Sequence, residues 1–224
     1  MVNPKLDIII SENLVPYAQA MQFMQNKVTD IIAGKCNQAI WLLEHPCVYT
    51  GGRMAETKDI LEDVGVPYYK TDRGGQITFH GPGQKIVYVM IDLKTIFKDN
   101  IDIRYFIKLL CKWLCLVLQE FNIKAVLDKE NIGLWVEQAN KKSKIVSIGL
   151  KVRRTISYHG IALNINPDLS YFENIVPCGI RNASVTSIDK LVGTDPNRFN
   201  SINDLLIKHF LNIFNYKLGE EHAF

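Results

Sequence analysis

The stretch Arg73-Gly74-Gly75-Gln76-Ile77-Thr78-Phe79-His80-Gly81-Pro82-Gly83-Gln84 holds four glycines and a proline around one arginine and one histidine. Glycine admits backbone conformations and close approaches closed to other residues, and Pro82 fixes the chain between two of them. The pattern reads as a short strand, Gln76 to Phe79, flanked by turns. The apolar run Ile86 to Ile91 that follows reads as a second strand. A sheet therefore begins here, and the glycine turns are able to present N–H groups together with the Arg73 and His80 side chains to a ligand. Read alone, the same residues also suit an ordinary pair of turns.

Working outward, strands are expected over Ala39–Leu43, Val66–Lys70, Leu134–Val136, Ile145–Val152 and Ser157–Ile165. Three helices interrupt them. Tyr17–Ile32 carries Met21, Met24, Val28 and Ile31 along one side, with Pro16 placed for the first turn. Ile103–Phe121 carries Phe106, Ile107, Leu110, Leu114 and Val117 at the spacing of a buried stripe, and Ser201–Phe214 forms the last. Strands outnumber helices and do not alternate with them, so the expected class is α+β or mixed α/β, a mixed sheet with packed helices. His45 before Pro46 reads as a turn. Cys111 and Cys115, four apart on a helix, suit either a metal pair or, better, the core.

Two further segments carry reactive side chains. Val176-Pro177-Cys178-Gly179 places a thiol on a Pro/Gly-punctuated loop, where it is either a nucleophile or a small hydrophobe. Lys144-Ile145-Val146-Ser147-Ile148-Gly149 places a lysine at the entry of an apolar strand, where it is either a desolvated acid/base group or an ordinary edge lysine.

In this order the three segments resemble the octanoyltransferase family, and the likeness extends from about Pro16 to Ile188. It takes in Trp41 to Gly51 as a first core strand and following turn, His159-Gly160-Ile161-Ala162-Leu163-Asn164, and Val176 to Gly179. The resemblance implies the biotin/lipoate protein ligase-like fold, with a large mixed sheet and a smaller one framing an acyl pocket, in a single catalytic domain spanning residues 1–224. It implies transfer of an octanoyl group from octanoyl-acyl carrier protein to the acceptor lysine of lipoyl domains, those of 2-oxoacid dehydrogenase complexes and the glycine cleavage H protein. Cys178 would hold the acyl group as a thioester and Lys144 would be its dyad partner. Arg73, Gly74, Gly75, Gln76, Ile77, Thr78, Phe79 and His80 would line one wall of the pocket. Ser147, Ile148 and Gly149 would line a second, and Gly160, Ile161 and Ala162 a third. Ile77, Phe79, Ile148 and Ile161 are equally suited to ordinary core. The chain departs from the family pattern at Cys47, which adds a second thiol near the site. No cofactor and no metal are implied.

The chemistry is consistent with that inventory, because acyl transfer from a thioester to an amine is downhill and needs no nucleotide. Lowering a thiol pKa from about 8.5 to about 6 raises the thiolate fraction roughly thirtyfold. A Brønsted slope of about 0.4–0.5 cancels roughly tenfold of that gain. Proton transfer, typically about 10²- to 10⁴-fold, and oxyanion stabilisation must therefore supply more. Lys144 is assigned the proton work. Backbone N–H groups near Gly179 or Gly81 are the oxyanion candidates, while His80 and His159 either move protons or hold loops.

The chain's 224 residues, 47% hydrophobic, can bury one sizeable core. Five cysteines without a Cys-x-x-Cys pair argue for a reducing compartment. The amino terminus lacks the pattern of a signal peptide and no apolar run is long enough to span a membrane, so a cytoplasmic monomer is expected, without membrane or nucleic-acid partners. Lys141, Lys142, Lys144, Lys151, Arg153 and Arg154 crowd a short stretch and would steer acidic partners to the site. An ATP-dependent lipoate or biotin ligase is the nearest rival, although adenylate chemistry has no use for a nucleophilic thiol. A nucleic-acid-binding module is a more distant one. It lacks any recognisable signature, and a net charge of only +3 is modest for it.

Overall fold

The computed structural model describes residues 4–128, 130–138, 141–176 and 184–224. In chain order the elements are β1 (Lys5–Leu14), α1 (Tyr17–Ile32), β2 (Gln38–Glu44), β3 (Val48–Gly51), β4 (Tyr68–Lys70), β5 (Ile77–His80), β6 (Gln84–Met90), α2 (Leu93–Phe97), α3 (Ile103–Gln119), β7 (Ala125–Leu127), β8 (Gly133–Gln138), β9 (Lys141–Arg153), β10 (Ile156–Asn164), β11 (Ser184–Val185), α4 (Ile188–Val192), α5 (Arg198–Phe214) and β12 (Lys217–Ala223).

The larger sheet runs β12-β1-β2-β6-β10-β9-β8-β7, with β11 added alongside β9, and it mixes parallel and antiparallel pairs. Helices cover both faces. On one face α3 and α5 bury Phe106, Leu110, Trp113, Leu114, Leu206 and Phe210 against Val87, Val89, Ile161 and Leu163. Trp113 fixes the helix pair by donating its indole N–H to the Leu206 carbonyl at 2.8 Å. On the other face α1 buries Ala20, Met24 and Val28, one per turn, against Trp41, Leu43, Tyr88 and Ala162. A smaller sheet, β4-β3-β5, packs through Tyr49, Ile77 and Phe79 onto Phe172 and Ile175. The mixed sheet with packed helices is thus the expected class.

Several local readings differ. Val48–Gly51 is the middle strand of the small sheet, where a turn was expected after the first core strand. His45 does lie in the turn between β2 and β3, but it is fully buried there, donating Nδ1–H to the Val15 carbonyl (2.6 Å) and accepting from the Tyr88 hydroxyl (2.7 Å). Cys111 is buried in the larger core with Cys115 packed beside it, the expected core alternative, and burial pushes the Cys111 thiol up to about 12. Among the described residues no helix is long and apolar enough to cross a membrane.

The basic residues of β9 are not one patch. A thirteen-residue strand separates Lys141 from Arg153 by about 40 Å at roughly 3.3 Å per residue. Lys142 is paired with Asp128 and Lys151 with Asp72. Closeness in sequence became distance in space because the segment is fully extended.

Candidate active site

Ser147 and Ala162 are directly opposed on β9 and β10, and Gly149 and Gly160 form the next opposed pair on the same face. Four small side chains in adjacent pairs leave a trough on the sheet, where larger ones would fill it. Gly160 has no alternative, since a Cβ there would lie 1.9 Å from the Val87 carbonyl oxygen. Above this floor lies a cavity of about 320 Å³. Arg73, Gly74, Gly75, Gln76, Ile77, Thr78 and His80 border it on one side. Ser147, Ile148, Gly149, Gly160, Ile161 and Ala162 border it on another, and Tyr17, Ile86 and Tyr88 also reach it. Ile148 and Ile161, themselves an opposed pair, also pack with the larger core.

Phe79 is the exception among the expected wall residues. It shares a face of β5 with Ile77, which still reaches the cavity from the start of the strand, but the Phe79 ring stacks on Tyr171 at 4.6 Å and meets Tyr49 and Phe172 edge-on. It supports the wall from behind and does not line it.

Lys144 also borders the cavity, although simple alternation would put it on the face opposite Ser147, three residues on. A β-bulge makes the difference. Leu134 of β8 pairs with Val146, but the next residue, Trp135, pairs with Lys144, so β9 spends one extra residue there. Ile145 and Val146 consequently both enter the larger core, and Lys144 returns to the cavity face. Its ammonium donates to the Ile132 carbonyl (3.1 Å) and lies 4.7 Å from the centre of the Trp135 ring. Trp135 is in turn held by its indole N–H, which donates to the Asn131 carbonyl at 2.9 Å.

Arg73, 8% exposed, donates to the Thr50 carbonyl (2.6 Å), to the Thr50 hydroxyl (2.9 Å) and to the Gly74 carbonyl (3.0 Å). Its stem crosses Gly149, where a Cβ would lie 3.0 Å from Arg73 Cδ. At the other end of the cavity from Lys144, His159 contributes Nε2 to a 3.2 Å contact with Asp72. Burial lowers the His159 pKa, so the neutral ring donates to the carboxylate. That donation, with Lys151, holds Asp72 well below the usual carboxylate range. Burial pushes His80 down to about 3 and His45 down to about 4, leaving both neutral.

Cys178 lies outside the described residues. The chain on either side of that segment is fixed: Val176 donates its N–H to the Asp59 carbonyl (2.8 Å), and Ser184–Val185 form β11 beside Ser143–Lys144. Sequence reasoning passed over Gly133, Trp135, Thr50, Asn164 and Thr186. For Gln84 and Asn164 the only signal was their place at the ends of the quoted segments.

The family description "Lipoyl protein ligase A/B catalytic domain" matches residues 16–211. Among solved structures, the chain is similar over its whole length to 88% of a bipartite lipoate protein ligase from Thermoplasma acidophilum, with a TM-score of 0.70 at 12% identity. It is similar over 94% of its length to 70% of the biotin protein ligase of Aquifex aeolicus in complex with biotin and ATP, with a TM-score of 0.54 at 11% identity. The fold is accordingly that of the lipoate and biotin protein ligases. In sequence the chain is 43% identical over 194 residues to an octanoyltransferase of Bartonella tribocorum, covering 83% of this chain and 78% of the relative. It is 40% identical over 206 residues to an octanoyltransferase of Wolbachia pipientis wMel, covering 92% and 98%. The chain belongs to the octanoyltransferase family and is an enzyme of that family.

Proposed function

We propose that this protein moves an octanoyl group from octanoyl-acyl carrier protein to the acceptor lysine of a lipoyl domain, through a thioester on Cys178 with Lys144 as its partner. The acceptors are the lipoyl domains of 2-oxoacid dehydrogenase complexes and the glycine cleavage H protein. The observation that carries the reading is the bulge that turns Lys144 onto the cavity, beside the strand that follows the Cys178 segment by a few residues. A buried ammonium at one end of a trough floored by small residues suits a chain that is apolar along its length and reactive at its head.

In the first half-reaction the Cys178 thiolate attacks the carrier thioester, the carrier sulfur leaves, and it is protonated with Lys144 as the acid. In the second, the acceptor amine attacks the enzyme thioester, the C–S bond breaks, and the amine proton passes to the same base. The Arg73–His80 segment and the Ser147/Ala162 and Gly149/Gly160 pairs would enclose the acyl chain. No cofactor or metal takes part in these steps. The whole chain acts as one catalytic domain, as a monomer in the cytoplasm.

Of the two basic groups on β9, Lys141 lies three residues from Lys144 and Arg153 lies nine, about 10 Å and 30 Å away at 3.3 Å per residue. Acidic partners dock at the Lys141 end. Acyl-enzyme formation tests the dyad: the Cys178→Ala variant forms none, and the Lys144→Ala variant is folded but slow. Retained turnover without Cys178 refutes the dyad.

A further inference from the structure

Five buried side chains and the backbone of Thr186 form a continuous run of hydrogen bonds through the molecule. The Arg73 guanidinium donates to the Thr50 hydroxyl oxygen at 2.9 Å. Thr50 Oγ1 lies 3.2 Å from His80 Nε2, and His80 Nδ1 lies 2.7 Å from Gln84 Oε1. Gln84 Nε2 donates to Asn164 Oδ1 at 2.8 Å, and Asn164 Nδ2 donates to the Thr186 carbonyl at 3.0 Å. Thr186 closes the run by donating its N–H to the Lys144 carbonyl at 2.9 Å. Thr50 is 0% exposed, Gln84 1%, Asn164 3% and Thr186 4%.

The direction of every link follows from the Thr186 end, because a backbone carbonyl can only accept. Asn164 must turn its NH₂ to the Thr186 carbonyl, which leaves Asn164 Oδ1 to accept from the Gln84 NH₂. Gln84 Oε1 therefore accepts from His80 Nδ1–H. The neutral ring then has a bare Nε2, which accepts the Thr50 hydroxyl proton. Arg73 can only donate, and it donates to the oxygen of the same hydroxyl. No link can be reversed without leaving two acceptors or two donors face to face in a buried site. Burial, which keeps the His80 ring neutral, agrees with this assignment.

Gln84 and Asn164 are an opposed pair at the ends of β6 and β10, so two sheet strands hold the middle of the run. Its terminus grips Thr186 on both sides, through its C=O and its N–H. Thr186 directly follows β11, and β11 is where the chain rejoins the sheet after the Cys178 segment.

We infer that Gln84 and Asn164 are positioning residues for the reaction proposed above, on which this inference rests: their one-way hydrogen-bond chain sets the strand beside Lys144 relative to the Arg73 side of the cavity. They touch no reacting atom. Their effect falls on the geometry of attack, where displacements near 1 Å cost on the order of a hundredfold.

Asn164→Asp is the decisive variant, because an ionised Asp has no hydrogen to offer Thr186 and a protonated one does. The measurements are kcat and KM for octanoyl transfer from octanoyl-acyl carrier protein to a lipoyl domain between pH 6 and 8.5 against the unmodified protein, with octanoyl-enzyme formation followed by intact mass. At pH 8.5 the variant should show kcat lowered roughly ten- to a hundredfold with KM within about twofold. The ratio to the unmodified protein should climb toward one as pH falls and the carboxyl protonates. Thr50→Val, nearly isosteric, should lower kcat by a smaller factor and remove the tautomer bias of His80 in ¹⁵N spectra of the imidazole. A pH-independent deficit that tracks lost Tm, or unaltered kcat in both variants, overturns the positioning role. Absence of any adduct on the unmodified protein overturns the acyl-enzyme reading itself, and the inference with it.

Discussion

Gly133 and Lys144 are matched across the bulge: a Cβ placed on Gly133 would lie 3.2 Å from Lys144 Cε and 3.3 Å from Nζ. The same atom would lie 2.5 Å from the Val146 carbonyl oxygen, and Gly133 holds a φ of +145° that side chains rarely adopt. One glycine therefore both shapes the bulge and leaves the room that the lysine head occupies. Gly133→Ala should destabilise the fold by about 1–3 kcal/mol, the usual range for such backbone strain. It should also lower kcat beyond the lost folded fraction, as seen when denaturation curves and turnover are measured on one preparation. A variant as active per folded molecule as the parent would separate Gly133 from Lys144.

Trp135 offers its ring face to the same ammonium. Trp135→Leu keeps an apolar filler and deletes the cation–π contact, worth about 0.5–2 kcal/mol. The expected loss is about two- to thirtyfold in kcat, at that energy per factor of ten. Trp135→Phe, which retains a ring, should recover most of it. Equal losses in the two variants would assign the effect to packing.

Ala162, 3% exposed, lies on the trough floor opposite Ser147. Ala162→Leu adds three carbons to a cavity of about 320 Å³. Transfer of octanoyl should fall at least tenfold while butyryl transfer is kept, since one methylene in an apolar pocket is worth about 1–3 kcal/mol. Competition between acyl chain lengths reads this directly. An unchanged ratio of chain lengths would place the acyl chain elsewhere.

Stability should depend on pH through the buried histidines. Burial depresses His80 to about 3 and His45 to about 4 from an ordinary 6.5, so the folded state binds fewer protons than the unfolded one throughout that interval. Their contribution is complete above about 6.5 and is lost progressively as pH falls toward the folded values. Each such histidine adds a slope of about 1.4 kcal/mol per pH unit in the middle of the window. Urea unfolding at pH 7, 6 and 5 should show stability falling between pH 6 and 5. A flat profile would mean that these rings accept protons in the folded state.

Much of the frame was legible because it obeys simple periods. The spacing of Met24 and Val28 gave helix α1, and the family resemblance placed Ser147, Gly149, Gly160 and Ala162 on the pocket walls without revealing that they are opposed in pairs. What escaped is what breaks period or depends on partners. Strict alternation puts Lys144 on the wrong face, and only pairing with β8 exposes the bulge. Strand β12, mostly exposed, shows no apolar alternation, and β1 carries Asp7 among its isoleucines, buried against Asn37 and Lys27. His45 beside Pro46 is the turn it reads as, but its burial there comes from Val15 and Tyr88, which are far away in sequence. Phe79 shares a face of β5 with Ile77, but its ring is taken up by Tyr49, Tyr171 and Phe172, partners remote in sequence, and so leaves the wall that the linear motif assigned to it.

The most direct test is nucleotide-free incubation of the protein with octanoyl-acyl carrier protein, followed by intact and peptide mass spectrometry. A hydroxylamine-sensitive octanoyl group is expected on Cys178, and it should pass to a lipoyl-domain lysine when that domain is added. No adduct and no transfer, with modification of the lipoyl domain only when free octanoic acid and ATP are supplied, would contradict this expectation and make the protein a ligase.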